Sequence, residues 1–242
     1  MNTRTLQIHG DPPNFRKMRN PWLDLPKEPP YVLPQDREYV DEFNRHTANP
    51  KYQLDVALMP GPFEGSRQAP LLVLMRNPGV GSWDDDRELG DYQEAMRANL
   101  GDAPEDQVQV GLKAEFESTP AGIWSRGRCF KNLIKEQGLP AEHLAHLVLN
   151  VEFHGYHSKN WHSLPITLPS QYYGFWLVVR AMERGATVVA LRGSWDWEVA
   201  VPGLADYPRL VTVHSSQSPA ISPDNCGDKF SYVLEALGSS VD

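Results

Sequence analysis

The sequence predicts an α/β fold, a three-layer α/β/α sandwich with a central, mostly parallel sheet. Short continuous apolar runs recur along the chain, and segments with a helical pattern lie between them. Strands that alternate with helices are typical of a parallel sheet covered by helices on both faces. A chain of 242 residues has the length of one sizeable domain and is short for two.

Apolar runs mark the predicted strands. The run LLVLM at residues 71–75 has no polar residue, which favours a strand that is buried on both faces. Shorter runs of the same kind lie at residues 147–149, 187–191 and 210–213, and residues 54–59 are a further candidate strand.

The remaining segments are predicted helices and an N-terminal arm. Helical patterns cover residues 130–137, 171–184 and 229–237, and Gly185 provides a stop for the second. Residues 1–36 are rich in proline and show no sustained period. We therefore expect an irregular arm packed on a domain that spans residues 37–242.

Composition restricts the classes of protein. No apolar stretch approaches the roughly 20 residues needed to cross a bilayer, and the N-terminus has no secretory signal, so we expect a cytoplasmic protein without membrane contact. Two cysteines exclude a multi-disulfide scaffold. We expect a monomer with no metal and no cofactor. The formal charge of −8 requires any nucleic-acid partner to bind a local basic or aromatic patch.

Polar side chains follow three of the predicted strands. Asn77-Pro78-Gly79 follows the first run, Asn150 and residues 153–157 follow the second, and His214-Ser215-Ser216 follows the last. In open α/β sheets, ligands bind beyond the carboxyl ends of the strands. The sequence contains no glycine-rich phosphate cradle of the dinucleotide or triphosphate type. These strand ends therefore predict a neutral, hydrogen-bonding site.

Four segments resemble, in order, motifs of the uracil-DNA glycosylase-like superfamily. LLVLMRNPGVG (71–81) is similar to the strand and loop of its Asn-Pro-Gly branches, and WSRGRCFKNLIKE (124–136) to the following helix. LVLNVEF (147–153) resembles the base-recognition strand, and VHSSQSP (213–219) the histidine-bearing loop. The resemblance implies a monofunctional DNA glycosylase that cleaves the bond between deoxyribose and a flipped-out pyrimidine.

The resemblance also implies a role for each residue. Asn77 would position the attacking water, His214 would donate to the leaving base, and Asn150 would read the edge of that base. The base pocket would also include Trp124, Met75, Arg76 and Phe153. DNA contacts would come from Ser215, Ser216, Gln217, Ser218, Tyr156, His157 and Lys159.

The motif departs from the family pattern in ways that affect the substrate. The loop lacks the aspartate and tyrosine of the most active branch, and Met75 replaces a common glycine. The resemblance therefore implies a substrate that is uracil or a larger pyrimidine, including a bulky modified cytosine of phage DNA, and the latter would make the enzyme an antiviral one. Trp83, Phe116 and Trp124 are all candidates to stack on the base, and Trp124 is favoured.

Structural roles remain alternatives for these residues. Asn-Pro-Gly is a common turn, Asn150 could cap a loop, and His214 could be a core histidine. His154, His157 and His162 have no accompanying carboxylate motif for a metal, while residues 84–86 are acidic and would cap a helix. Trp195 and Trp197 could stack on a ligand or pack in the core.

Two other functions stay open. A non-catalytic nucleotide- or DNA-binding module would use the same cleft. A serine hydrolase that uses Ser215 or Ser216 lacks the Gly-x-Ser-x-Gly elbow.

Overall fold

The fold is built on a five-stranded sheet with the spatial order β1-β3-β2-β4-β5. The computed structural model describes residues 18–80 and 90–238. Its strands are β1 (Phe63–Gly65), β2 (Leu71–Met75), β3 (Val148–Glu152), β4 (Thr187–Ala190) and β5 (Leu210–Thr212).

The sheet is mixed. β2 is parallel to both β3 and β4, and β4 is parallel to β5, whereas β1 lies antiparallel along β3 at one edge. The prediction of a mostly parallel sheet is therefore corrected. The antiparallel strand contains only three residues, Phe63-Glu64-Gly65, and so has no apolar run that would reveal it in the sequence.

The four apolar runs do form strands. β2 has the predicted bounds, and the other three strands have ends that differ from the predicted ones by one to three residues. The predicted strand at residues 54–59 is wrong. Asp55 forms only an isolated bridge with His157, and its carboxylate accepts a hydrogen bond from the amide of Ala57. Such a local side-chain turn competes with strand pairing.

Helices connect the strands. The three predicted helices are present with shifted ends, at Lys131–Lys135, Gln171–Glu183 and Phe230–Ala236, and a single π-helical turn, Ser125–Cys129, precedes the first of them. The described α-helices are α1 (Arg37–His46), α2 (Gly90–Leu100), α3 (Pro120–Trp124), α4 (Lys131–Lys135), α5 (Ala141–Leu147), α6 (Gln171–Glu183), α7 (Ser194–Ala200), α8 (Pro223–Cys226) and α9 (Phe230–Ala236). No helix in the described ranges is long and apolar enough to cross a bilayer.

Alternate residues of the strands enter two hydrophobic clusters. Leu72 and Leu74 belong to the first cluster, with side chains of α1, α2, α6 and α7, while Leu71, Val73 and Met75 belong to the second, with side chains of α4, α5 and α9. Successive strand residues point to opposite faces of a sheet. The two clusters therefore identify which strand side chains share a face.

The N-terminal arm contributes to the first cluster. Over its described part, Trp22, Val32 and Leu33 are buried, and the side chain of Asn20 donates to the Leu100 carbonyl at 2.8 Å. Asp36 is fully buried. It accepts a hydrogen bond from the Tyr156 hydroxyl at 2.8 Å. The described part of the arm therefore contributes buried side chains to the core of the domain.

The two tryptophans of α7 provide a test of this packing. Trp197 is fully buried among aromatic rings and donates to the Met75 carbonyl at 2.7 Å, whereas Trp195 is exposed. We expect Trp197→Ala to lower the free energy of unfolding by about 3–5 kcal/mol and Trp195→Ala by less than about 0.5 kcal/mol. Urea denaturation measures both, and equal losses would contradict the packing described.

Candidate active site

The carboxyl ends of the four parallel strands lie at one edge of the sheet. Pairing continues past the ends of β2 and β3, because Phe153 N donates to the Met75 carbonyl at 3.2 Å and His154 N to the Arg76 carbonyl at 3.1 Å. These bonds bring the loop after β2, which carries Asn77, against the loop after β3. The site predicted from strand ends therefore has a common edge.

Asn77 is half-buried and its amide nitrogen is held in place. Nδ2 donates to Ser158 Oγ at 2.9 Å and to the Pro78 carbonyl at 3.1 Å. The Ser158 hydroxyl in turn donates to the Asn160 carbonyl at 2.9 Å. Within the described part of the chain, no donor is assigned to Asn77 Oδ1. This fixed carbonyl oxygen can therefore accept a hydrogen bond from water.

Asn150 lies inside β3 rather than after it. It is 7% exposed, and its Oδ1 has no hydrogen-bond partner in the described ranges. Glu152, two residues further along, shares the same face, and its Oε2 also lacks a partner there. Buried polar atoms are nearly always hydrogen-bonded. Two unpaired atoms on one strand face therefore indicate a ligand-binding recess.

Two carboxyl groups with raised pKa values lie on the strand face that carries these atoms. Glu64 lies opposite Asn150 on β1. Burial raises the pKa of Glu64 to about 7, although the backbone amides of Val110 and Gly111 oppose the shift. Burial raises the pKa of Glu152 to about 8, opposed by the positive charge of Arg192. The raised pKa values favour the protonated form of both carboxyl groups, and of Glu152 more than of Glu64.

Two predicted base-binding residues lie on the same face. Met75 is paired with Glu152 across β2 and β3, and Trp124 packs against the second cluster, to which Met75 belongs. Phe116 belongs to the first cluster instead, which makes it a poor candidate to stack on a base at Asn150. Trp83 and residues 84–86 lie outside the described residues. Trp124 remains the predicted stacking residue.

His214 follows β5 in an exposed loop. Its Nδ1 lies 2.9 Å from the Asp224 carbonyl, and its backbone amide donates to the Asn225 carbonyl at 2.8 Å. Because a carbonyl only accepts, Nδ1 carries the proton in this contact. Nε2 of a neutral ring is then an acceptor. The predicted donation to the leaving base therefore requires the doubly protonated imidazolium.

The side chain of Asn225 organises the loop that contains His214. It is buried, accepts from the amide of Ser215 at 2.9 Å, and donates to the carbonyls of Ser218 and Ala220 at 3.0 and 2.9 Å. All five residues 214–218 are exposed. Ser215, Ser216, Gln217 and Ser218 are thus accessible to a partner, and their DNA contact remains a prediction.

Arg76 and Phe153 lie away from Asn150, on the other side of the sheet. Phe153 packs in the first cluster against Trp197 and Phe175. The Arg76 guanidinium lies 5.5 Å from the ring centre of Trp161 and 3.8 Å from Asp196. These residues line a separate groove with His154 and Trp195. Their assignment to the pocket of Asn150 is corrected, because strand residues of opposite parity face opposite sides.

The three predicted DNA contacts after β3 lie in different environments. Tyr156 is fully buried, and its hydroxyl bonds to Asp36 and to the amide of Leu33, so its assignment as a DNA contact is corrected. Both ring nitrogens of His157 lie within hydrogen-bond distance of carbonyls, those of Gly79 and Met59. His157 therefore connects the two loops. Lys159 is exposed, and its role stays a prediction.

The three histidines of the segment do not converge. His154 is buried, with its pKa lowered to about 3 by desolvation, while the ring of His162 lies 4.8 Å from that of Tyr52. Over residues 18–80 and 90–238, no group of three metal-ligating side chains is found.

The sequence analysis missed Glu64, Glu152 and Asn225. Strand alternation from Asn150 would have placed Glu152 on the same face. Glu64 lies in the unrecognised edge strand, and Asn225 acts through a loop distant in sequence, so neither had a local signal. Comparisons with protein-family models, with curated proteins and with solved structures found no match.

Replacing Asn225 tests how the His214 loop is held. We expect Asn225→Ala to destabilise the loop by about 1–3 kcal/mol, because two carbonyls and one amide lose their partner. Limited proteolysis with subtilisin should then cut within residues 214–218 faster than in the parent protein. Asn160→Ala, an exposed asparagine, is the control, and unchanged cleavage in Asn225→Ala would contradict this role.

Proposed function

We propose that the protein is a monofunctional DNA glycosylase that hydrolyses the N-glycosidic bond of a flipped uracil-like or modified pyrimidine. The observation that carries the proposal is the anchored amide of Asn77, whose nitrogen bonds to Ser158 and leaves the carbonyl oxygen for a water molecule. This amide follows β2, whose neighbour β3 carries the unpaired polar atoms of Asn150 and Glu152. The motif order along the chain supports the same reading.

Water positioning is chemistry suited to an asparagine. The bond between the anomeric carbon and the base loosens first, and the sugar becomes similar to an oxocarbenium ion. A fixed water then needs an acceptor for orientation rather than a strong base. Asn77 Oδ1 is such an acceptor, since Ser158 prevents the amide from turning.

The spacing of the sheet suits a nucleoside between Asn150 and His214. Asn150 is on β3, and His214 follows β5. Three inter-strand spacings of about 4.8 Å separate their strands by roughly 14 Å. Between the side chains of Asn150 and His214, this distance leaves room for a base at Asn150 and a sugar near Asn77. The loop 214–218 would then contact the phosphate backbone.

The proposal includes a three-layer α/β/α arrangement, because the superfamily that the motifs resemble has that architecture. The two hydrophobic clusters support it, because successive strand residues belong to one cluster and then to the other. Antiviral excision of a bulky modified cytosine is the form of the proposal that the non-standard motif favours. A monomer that acts on DNA in the cytoplasm completes it.

A binding module that holds a nucleotide without catalysis is the second candidate. The observation in its favour is the tautomer of His214, whose Nδ1 contact makes Nε2 of the neutral ring an acceptor. A neutral His214 would therefore not stabilise a departing base. Measured base release separates this candidate from the glycosylase.

Asn77→Ala tests the proposed chemistry. We expect base release to fall by about 100-fold or more, as for the loss of one positioned group in a transition state, while DNA affinity changes little. Mass spectrometry should measure the free bases released from DNAs that contain uracil, deaminated bases or sugar-modified cytosine.

Gln68→Ala, at an exposed amide remote from the strand ends, is the matched control. Thermal unfolding of both variants separates a catalytic loss from a folding defect. If Asn77→Ala releases base at the parental rate, Asn77 has no part in the mechanism.

Salt dependence tests DNA binding by this acidic chain. Arg76, Arg128, Lys159 and Arg192 are the predicted phosphate contacts, and each neutralised phosphate contributes about 0.9 to the slope of log affinity against log salt. Four contacts predict an affinity loss of about 150-fold between about 50 and about 200 mM salt.

Fluorescence anisotropy with a labelled oligonucleotide measures that slope. Arg128→Ala and Lys159→Ala, both at exposed positions, should each reduce the slope, while Arg45→Ala on α1 should leave it unchanged. Binding that does not depend on salt would indicate a free nucleoside as the ligand instead.

A further inference from the structure

Glu152 is a half-buried acid, with a buried Oε2 atom, that the roles described so far do not use. It ends β3 and pairs with Met75, two residues before Asn77. Its side chain shares the strand face of Asn150, and Oε2 is buried without a partner in the described part of the chain. The carboxyl therefore faces the same recess as the residue proposed to read the base.

We propose that Glu152 is a further catalytic residue that protonates the departing base. The inference rests on the proposed glycosylase function and assigns the acid side of that reaction. A glycosylase with a weakly activated water depends on its leaving group, and general acid catalysis contributes typically about 100-fold to 10,000-fold. His214 supplies a proton or donor only as imidazolium, whereas Glu152 carries a dissociable proton inside the recess.

The step balances without a further reactant. The oxygen of the water held by Asn77 bonds to the anomeric carbon while the bond from this carbon to the base nitrogen breaks. The bonding electron pair leaves with the base, and the Glu152 proton moves to a ring nitrogen or carbonyl oxygen of the base. The water releases one proton, which restores the Glu152 carboxyl through solvent.

The surroundings of Glu152 favour its protonated form. Burial raises its pKa to about 8, the charge of Glu64 adds to the shift, and Arg192 opposes it. Burial raises the pKa of the Cys129 thiol well above the usual range, and the charge of Glu152 adds to that shift. Burial also raises the pKa of Tyr92, to which the charge of Glu64 contributes. Below a pH of about 8, the acid therefore holds its proton.

Leaving-group dependence distinguishes a proton donor from a structural residue. An acid matters most when the base leaves poorly, and 5-fluorouracil leaves more readily as an anion than uracil or a cytosine-type base. We expect Glu152→Gln to reduce release of the poorest leaving base that the parent cleaves by about 100-fold. Release of 5-fluorouracil should fall by less than about tenfold. This ratio is measured within one variant, so partial unfolding does not change it.

The pH profile is the second readout. Parent activity should fall as pH rises through about 8, because Glu152 loses its proton. Glu152→Gln should lack that fall. In Glu64→Gln the carboxamide oxygen can still accept from Gly111, but a negative charge is removed, so the fall should move to lower pH.

Three outcomes decide the matter. The proposal is supported if Glu152→Gln loses release of the poor leaving base much more than release of 5-fluorouracil, and if its activity no longer falls at alkaline pH. Equal losses on both bases, or an alkaline fall that persists in Glu152→Gln, overturn it while the glycosylase function stands. A parent protein that releases no base from any of the DNAs overturns the proposed function and this role with it.

Discussion

The position of β2 between β3 and β4 is the constraint on which the rest of the structure depends. All five of its residues, Leu71–Met75, are buried, so a shift of one residue would move every side chain to the wrong cluster. The Met75 carbonyl accepts from both the Phe153 amide and the Trp197 indole. The end of β2 is therefore fixed from two sides, and this fixes the position of the backbone that leads to Asn77.

The same register produces two recesses of different character. Odd and even residues of β3 point to opposite faces, so Asn150 and Glu152 line a polar recess while Phe153 enters an aromatic groove with Trp161. A buried acid costs less free energy when it is neutral than when it is charged. The polar recess can therefore keep a carboxyl group in contact with a ligand that carries no net charge.

The pattern of apolar residues predicts which residues form the interior of the sheet and at which edge the site lies. It does not predict on which face of the sheet each side chain near the site lies. The run at residues 71–75 could be recognised as a strand because a strand that is buried on both faces has apolar residues at every position. β1 was missed because Glu64 and Gly65 give an edge strand no such run. Tyr156 was misread because its partner, Asp36, lies 120 residues away, beyond the reach of any local pattern.

The hydrogen bond between Asp36 and Tyr156 joins parts of the chain that are far apart in sequence, and this separation affects when the bond can form during folding. Asp36 further accepts from the backbone amide of Ser170, 134 residues away. Contacts of such large sequence separation form slowly, because loop closure opposes them until other interactions are present. The loop that holds Asn77 through Ser158 begins directly after Tyr156. The edge that carries Asn77 thus depends on contacts of large sequence separation, and we expect a local opening of the arm to loosen that edge before the sheet itself unfolds.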